Sequence, residues 1–297
     1  MIYSRRAFIN IIAKASLLLC SPVVMSNNKK PMNKINPGIQ LYTVRNEIKN
    51  DLWLTLKKIA DVGFKEIELY MDDNTSLLFG YQPEEFFTRV NDLGLKVIGQ
   101  HILSGQHGEQ PYSLTKGFES LVEILSKYEV PYLTHVWLHP EERKSLNDYK
   151  HLAELQNKCG AYCKSANIQL TYHNHDFEFV KMEGEMPYDV MIKNSDPDLL
   201  KLEVDFYWMY AAGVDPLIYI TQLGNRVEQW HFKDMKKDST DFIELGLGRI
   251  NYDEIMKYLK SSDVKHVLID QDELTMPMED SLRINLKELN RLLAIMD

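Results

Sequence analysis

Metal-binding and titratable side chains are concentrated in one eight-residue stretch, Tyr172–Phe179 (YHNHDFEF). It contains His173, His175 and Glu178, and it directly follows the apolar run Ile168–Thr171. Imidazole and carboxylate groups bind divalent cations and are also the usual acids and bases of enzymes. A buried strand that ends in such a stretch therefore predicts a site that binds a cation or moves a proton.

The chain from residue 37 onward alternates between short apolar runs and segments in which apolar residues recur with helical spacing. A strand, a helix and a second strand in succession form a right-handed parallel unit. Eight such units in a domain of about 260 residues predict an α/β fold, a closed (β/α)8 TIM barrel. The predicted strands are Gly38–Val44, Glu66–Tyr70, Lys96–Ile102, Tyr132–Leu138, Gln169–His175, Lys201–Trp208, Val227–Asp234 and Val267–Asp272.

Polar residues at the carboxyl ends of these strands are the candidates for chemistry, because active sites of such barrels lie there. Side chains two residues apart on a strand share a face. That rule groups Glu203 with Asp205 and Tyr207, Gln229 with His231 and Lys233, and Asp270 with Asp272. If each group faces the barrel axis, two imidazoles and two carboxylates meet in a shell that suits one Mn²⁺, Co²⁺, Zn²⁺, Fe²⁺ or Ni²⁺ ion. The predicted metal ligands are His173, Asp205, His231 and Asp270.

Each of these residues also has a structural interpretation. A single buried aspartate or histidine is more often a hydrogen-bonded structural group than a ligand. Four at neighbouring strand ends favour a cation, because isolated buried charges are costly unless they are neutralised. Five other residues stay open between packing in the core and contact with a sugar: His101, His135, His139, Trp137 and Trp208.

The amino terminus carries a twin-arginine pattern, Ser4–Ile9 (SRRAFI), followed by a weakly apolar run that is too short to span a bilayer. We expect residues 1–26 to be a twin-arginine export signal, 27–36 a linker and 37–297 the barrel domain. The expected location is therefore the periplasm. A lipid anchor on Cys20 is a less favoured alternative, because the residue before it is Leu19.

Charge and cysteine content restrict the possible partners. The formal net charge is −9, which disfavours binding to a nucleic-acid backbone and so a metal-dependent endonuclease. Cys159 and Cys163 are four residues apart in a helical pattern, where a disulfide is geometrically poor, so we expect free thiols. The expected partner is a small carbohydrate, with no stable membrane span, and a homo-oligomer remains open.

Seven segments resemble the sugar phosphate isomerase/epimerase family, whose members share a xylose isomerase-like barrel. They are GIQLYTVRNEI, GFKEIELY, TYHNHDFEF, LEVDFYWMYAAGVDP, VEQWHFKDM, ELGLGRINYDEIM and VLIDQDE, and they extend from about residue 37 to the carboxyl terminus. The resemblance implies one divalent metal held by strands five to eight. Asp205 and His231 match the family's aspartate and histidine, whereas His173 and Asp270 stand where epimerases have glutamates.

The predicted function is a metal-dependent isomerase or epimerase that acts on a keto-sugar or polyol through an ene-diolate stabilised by the cation. Alternatives are a dehydratase or lyase acting on a keto-sugar or inosose, and a carbohydrate-binding barrel without catalysis. Glu178 and Asp270 are the first candidates for the base and His175 is a third, while Lys233 would steady the oxyanion. The predicted substrate contacts are Gln40, Glu68, His101, His175 and Trp208.

Overall fold

Eight parallel strands close into a barrel in the computed structural model, which describes residues 35–71, 77–105, 111–259 and 264–295. The predicted export signal and all but the last two linker residues lie outside the described residues. The eight strands follow one another around the barrel in chain order and the last pairs with the first, so the predicted (β/α)8 fold is confirmed. The barrel strands are β1 (Pro37–Gln40), β2 (Glu66–Leu69), β3 (Lys96–Ile102), β4 (Tyr132–Val136), β5 (Gln169–His173), β6 (Leu200–Asp205), β7 (Val227–Phe232) and β10 (His266–Ile269).

Ten helices in the described part of the chain surround the strands. Side chains cap several of them: Asp51 Oδ1 accepts a hydrogen bond from Leu54 N at 3.0 Å, and Ser145 forms a capping box with Asp148. The helices are α1 (Arg45–Asn50), α2 (Leu52–Val62), α3 (Pro83–Asp92), α4 (Phe118–Lys127), α5 (Leu146–Ser165), α6 (Pro187–Asn194), α7 (Phe206–Ala211), α8 (Pro216–Leu223), α9 (Tyr252–Leu259) and α10 (Met278–Leu293). None of the helices in these ranges is both long and apolar enough to cross a membrane.

Several strands end earlier than the apolar runs predicted, because polar side chains start the next turn. Gln40 Oε1 accepts a hydrogen bond from Tyr42 N at 3.0 Å and opens a 3₁₀ turn after β1. Asp205 Oδ1 accepts from Tyr207 N at 2.9 Å and caps α7. Tyr207 is therefore helical, and its predicted place on the face of Glu203 and Asp205 is wrong.

The apolar core lies between the strands and the helices. Outward-facing strand residues such as Leu170, Leu202 and Phe232 are fully buried there. Cys159 and Cys163 are both buried free thiols, as predicted. This layer, called the shell below, gives the fold most of its buried apolar area.

The barrel interior is mainly polar, although TIM barrels usually fill it with branched aliphatic side chains. Thr134, Thr171 and Gln229 form one hydrogen-bonded group in it, with Thr171 Oγ1 2.8 Å from Thr134 Oγ1 and 3.2 Å from Gln229 Oε1. Gly99 leaves room for Glu68, since a Cβ at position 99 would lie 2.6 Å from Glu68 Oε1.

The connection after β7 is built around one carboxylate. A short hairpin pairs β8 (Asp234–Met235) with β9 (Phe242–Ile243). Asp234 accepts hydrogen bonds from the backbone N–H groups of Gly246 and Gly248, both at 3.0 Å. A Cβ at position 248 would lie 2.1 Å from Asp234 Oδ1, so this close approach requires glycine.

Candidate active site

Four side chains from β5, β6, β7 and the end of β10 meet at the carboxyl ends of the strands. They are His173, Asp205, His231 and Asp270, called the outer set below, and one ligand atom from each lies within 4.8 Å of the other three. His173 Nε2 is 3.7 Å from Asp205 Oδ2 and 4.0 Å from Asp270 Oδ2. The structure thus brings together all four residues that the sequence predicted as metal ligands.

The outer set fits a divalent cation. Its four residues are buried, and the donors are two imidazole nitrogens and two carboxylate oxygens, a mixture that divalent transition metals accept. Asp205 Oδ2 is buried without a well-aligned hydrogen bond, although Lys233 Nζ lies 3.0 Å away. An oxygen left in that state has lone pairs available to a cation, so it is a suitable ligand.

Lys233 places a buried ammonium group against the same carboxylates. Its Nζ lies 2.8 Å from Asp270 Oδ2 and 3.2 Å from Asp272 Oδ2, in addition to the contact with Asp205. Burial opposes the charge, but the three carboxylates outweigh it and raise the pKa of Lys233 well above its usual value. Burial likewise opposes ionisation of Asp270, but Lys233 and His231 hold the pKa of that carboxyl below its usual range. In the metal-free site Lys233 is therefore protonated, and its ammonium group lies at the edge of the outer set.

A second group of ligands lies beside the outer set and shares two histidines with it. His101, His173, Glu203 and His231, called the inner set below, also have ligand atoms within 4.8 Å of one another. Glu203 Oε1 lies 3.1 Å from His101 Nε2, 3.0 Å from His173 Nδ1 and 3.2 Å from His231 Nε2. The sequence placed Glu203 on the same strand face as Asp205 but did not predict a role for it. That shared face was the signal that could have identified it as a candidate ligand.

Gln40 and Glu68 are joined to the inner set through His101. Glu68 Oε2 accepts a hydrogen bond from Gln40 Nε2 at 2.8 Å and lies 2.9 Å from His101 Nε2. Burial opposes the charge on His101, but Glu68 and Glu203 raise its pKa to about 9. The polar atoms of Gln40, Glu68 and His101 already bind one another. These residues are therefore better suited to holding the inner set in place than to the predicted contact with substrate.

Comparison with known proteins places the chain in a family. The model of the xylose isomerase-like TIM barrel family matches residues 56–283. The chain belongs to this family.

Individual relatives within and around the xylose isomerase-like family are distant. An inosose dehydratase from Clostridium tetani (strain Massachusetts / E88) is 28% identical over 121 residues, which cover 41% of this chain and only 38% of that protein. A solved sugar phosphate isomerase/epimerase from Parabacteroides distasonis superposes with a TM-score of 0.73 at 20% identity and covers 90% of this chain and 96% of that one. The IolI protein, solved with a bound zinc atom, gives a TM-score of 0.71 at 13% identity over 89% of this chain and 99% of that one. At these identities the two solved structures show a shared fold.

The rim of this xylose isomerase-like barrel carries a stack of rings ending near Lys233. The guanidinium of Arg143 lies 3.5 Å from the Phe177 ring centre, Phe177 stacks on His175 at 5.5 Å, and His175 lies 5.3 Å from the Trp208 ring. His175 Nδ1 and Trp208 Nε1 are buried without hydrogen-bond partners. Of the predicted substrate contacts, these two have polar atoms left to bind a substrate hydroxyl.

Glu178 does not join the outer set. Its Oε1 accepts a short hydrogen bond from the Tyr172 hydroxyl and its Oε2 accepts from His175 N at 2.9 Å. Tyr172 faces the shell, so Glu178 lies behind β5, where burial raises its pKa to about 7. This position corrects the sequence-based choice of Glu178 as base, because the regular alternation of faces ends at His173.

Three residues that the sequence left open between core packing and sugar contact, His135, His139 and Trp137, have different positions in the structure. His135 faces the shell, where Gln156 Nε2 lies 3.0 Å from its Nδ1 and burial lowers its pKa to about 3. His139 caps the 3₁₀ turn Pro140–Glu142. Trp137 is 38% exposed just after β4 and has a positive φ of 53°, so it is a rim residue and not a core filler.

Proposed function

We propose that this chain is a metal-dependent dehydratase that removes water from a small polyhydroxylated ketone of the inosose or keto-sugar type. The observation that carries the proposal is the buried ammonium of Lys233 beside the outer set, with the unpartnered nitrogen of His175 on the same rim. An elimination needs one group that accepts a proton from carbon and one that gives a proton to the departing hydroxyl. The similarity to an inosose dehydratase supports the same reaction class.

The outer set would hold the cation, whose chemistry is to polarise a substrate carbonyl and acidify the neighbouring C–H bond. His175 accepts the proton at Nδ1; burial, followed by Lys233, lowers its pKa to about 3, so the ring is neutral but is a weak base while Lys233 keeps its charge. Lys233 would donate a proton to the leaving hydroxyl, because a cation held by Asp205 and Asp270 would offset the carboxylate charge that otherwise keeps this proton on Nζ. Its loss of charge removes one of the causes that lower the pKa of His175, so the two transfers assist each other. Trp208 Nε1 orients a substrate hydroxyl next to this pair.

An isomerase or epimerase, the function favoured from the sequence, shares the first proton transfer with a dehydratase and differs in the later steps. Incubation of the Mn²⁺-loaded protein with inososes and keto-sugars in D₂O, read by proton NMR and mass spectrometry, separates the candidates. We expect loss of the hydrogen next to the carbonyl together with loss of one water. Exchange without loss of water would contradict the dehydratase and favour an epimerase, and sugar binding without exchange would favour a non-catalytic barrel.

Lys233→Met tests the assigned proton donor in the same assay. The variant should still exchange the carbon-bound hydrogen but should eliminate water at least about 100-fold more slowly, because general acid catalysis typically contributes that much or more. Lys236→Met is the matched control, since Lys236 forms an exposed ion pair with Asp241 at 3.3 Å. Full elimination by Lys233→Met would remove the assignment of Lys233.

A further inference from the structure

We propose that the inner set, His101, His173, Glu203 and His231, is a second transition-metal site that competes with the outer set for the same two histidines. The proposal concerns cation binding alone, so it does not depend on the dehydratase activity. Three imidazole nitrogens and one carboxylate oxygen form a closed four-donor group of the kind that zinc accepts.

The three nitrogens of the inner set converge on a single oxygen atom. All three nitrogens lie within 3.2 Å of Glu203 Oε1. His101 Nε2 and His173 Nδ1 form hydrogen bonds of acceptable geometry with that oxygen. His231 Nε2 is fully buried and makes no well-aligned hydrogen bond, although Glu68 Oε2 lies 3.0 Å away and Glu203 Oε1 lies 3.2 Å away. A buried nitrogen held in poor hydrogen-bond geometry is costly, and a cation among these donors would give it a directed bond.

The charges around the inner set also suit a divalent ion. Glu68 and Glu203 are both fully buried, and two carboxylates in such an environment require compensating positive charge. Either two protonated imidazoles or one divalent cation supplies that charge. The alternative to a metal site is thus a hydrogen-bonded imidazolium network, and the two differ in whether the set binds metal.

Competition follows from the way the two shared rings are oriented. His173 faces the inner set through Nδ1, 3.0 Å from Glu203, and the outer set through Nε2, 3.7 Å from Asp205. His231 faces the inner set through Nε2 and the outer set through Nδ1, which lies 3.1 Å from Asp270. A neutral imidazole has one lone pair for a metal, so each ring serves one ion at a time.

The donor types predict which metal each set selects. Three nitrogens favour Zn²⁺, Ni²⁺ or Cu²⁺ at the inner set, whereas the two carboxylates of the outer set favour the harder Mn²⁺. Zinc bound at the inner set would therefore exclude Mn²⁺ from the outer set.

Affinities of the metal-free protein for Zn²⁺ and Mn²⁺, measured by competition with a chromogenic chelator, test the proposal. His101→Phe should weaken Zn²⁺ binding about tenfold or more and change Mn²⁺ binding by less than about threefold, because the variant removes an inner ligand only. Asp205→Asn should weaken Mn²⁺ binding and leave Zn²⁺ binding within about threefold. Unchanged Zn²⁺ affinity in His101→Phe would overturn the proposal and favour the imidazolium network.

X-ray absorption of the zinc-loaded wild-type protein provides a readout that does not require a folded variant. Three imidazole ligands and one oxygen ligand are expected. Two imidazoles with two or more oxygens would place zinc in the outer set and contradict the proposal.

Discussion

Two buried histidines on adjacent strands differ because one faces the barrel interior and the other faces the shell. His101 on β3 meets Glu68 and Glu203, and its pKa is raised to about 9. His135 on β4 meets Gln156 and the Tyr172 ring, and its pKa is lowered to about 3. Both side chains are less than 10% exposed, so burial alone does not decide the charge. The neighbours on each face decide it.

The shell and the barrel interior contribute differently to stability and to function. The shell contains the apolar side chains and supplies most of the stability, whereas the interior carries carboxylates, imidazoles and one ammonium group. Buried charges of this kind contribute little net stability even when they are well paired. Substitutions in the shell should therefore alter stability, and substitutions in the interior should alter binding and catalysis.

Leu170 and Thr171 provide a matched pair for this comparison, because they are consecutive on β5 and face opposite sides. Leu170→Ala should lower the free energy of unfolding by about 2–5 kcal/mol, since it leaves a cavity in the shell. Thr171→Val removes the hydrogen bonds to Thr134 and Gln229 and should cost about 1–3 kcal/mol. Urea denaturation of the metal-free variants measures both values. A larger loss of unfolding free energy for Thr171→Val than for Leu170→Ala would contradict the view that the shell supplies most of the stability.

His135→Gln tests the shell histidine through the pH dependence of stability, and its expected effect on the free energy of unfolding is smaller than that of Leu170→Ala. The folded pKa of about 3 lies below the unfolded value of about 6.5, so the unfolded chain takes up a proton first as pH falls. The contribution of neutral His135 to stability is thus present above pH 6.5 and is lost as pH falls toward 3. The advantage of wild type over His135→Gln should shrink by about 2 kcal/mol between pH 8 and pH 5.

Thermal or urea unfolding across this pH range tests the prediction. His151→Gln, at an exposed position of α5, is the control, and its difference from wild type should stay small throughout. An advantage for wild type over His135→Gln that grows on acidification would contradict a neutral His135 in the shell.

The barrel could be predicted from the sequence because each strand is a short apolar run between helical patterns. Strand ends were less predictable, since Gln40 and Asp205 use their side chains to start the next turn. The outer set was found because alternation holds as far as His173 on β5. The position of Glu178 was not predicted, because the chain turns after His173 and the Tyr172 hydroxyl binds the Glu178 carboxylate behind the strand.

The inner set shows what strand alternation alone cannot supply. Alternation placed Glu203 and His231 on inward faces, but it does not tell which nitrogen of a ring faces which carboxylate. That information depends on distances across the barrel, such as the 3.1 Å between His101 Nε2 on β3 and Glu203 Oε1 on β6. The roles of both sets depend on those cross-barrel distances.

Anomalous diffraction from crystals loaded with Mn²⁺ tests directly whether the outer set holds a cation. We expect one strong manganese peak among His173 Nε2, Asp205 Oδ2, His231 Nδ1 and Asp270 Oδ2, and no peak in crystals of Asp205→Asn. Crystals soaked with saturating Mn²⁺ that show no peak among these four atoms, with Lys233 still bound to Asp205 and Asp270, would contradict this expectation.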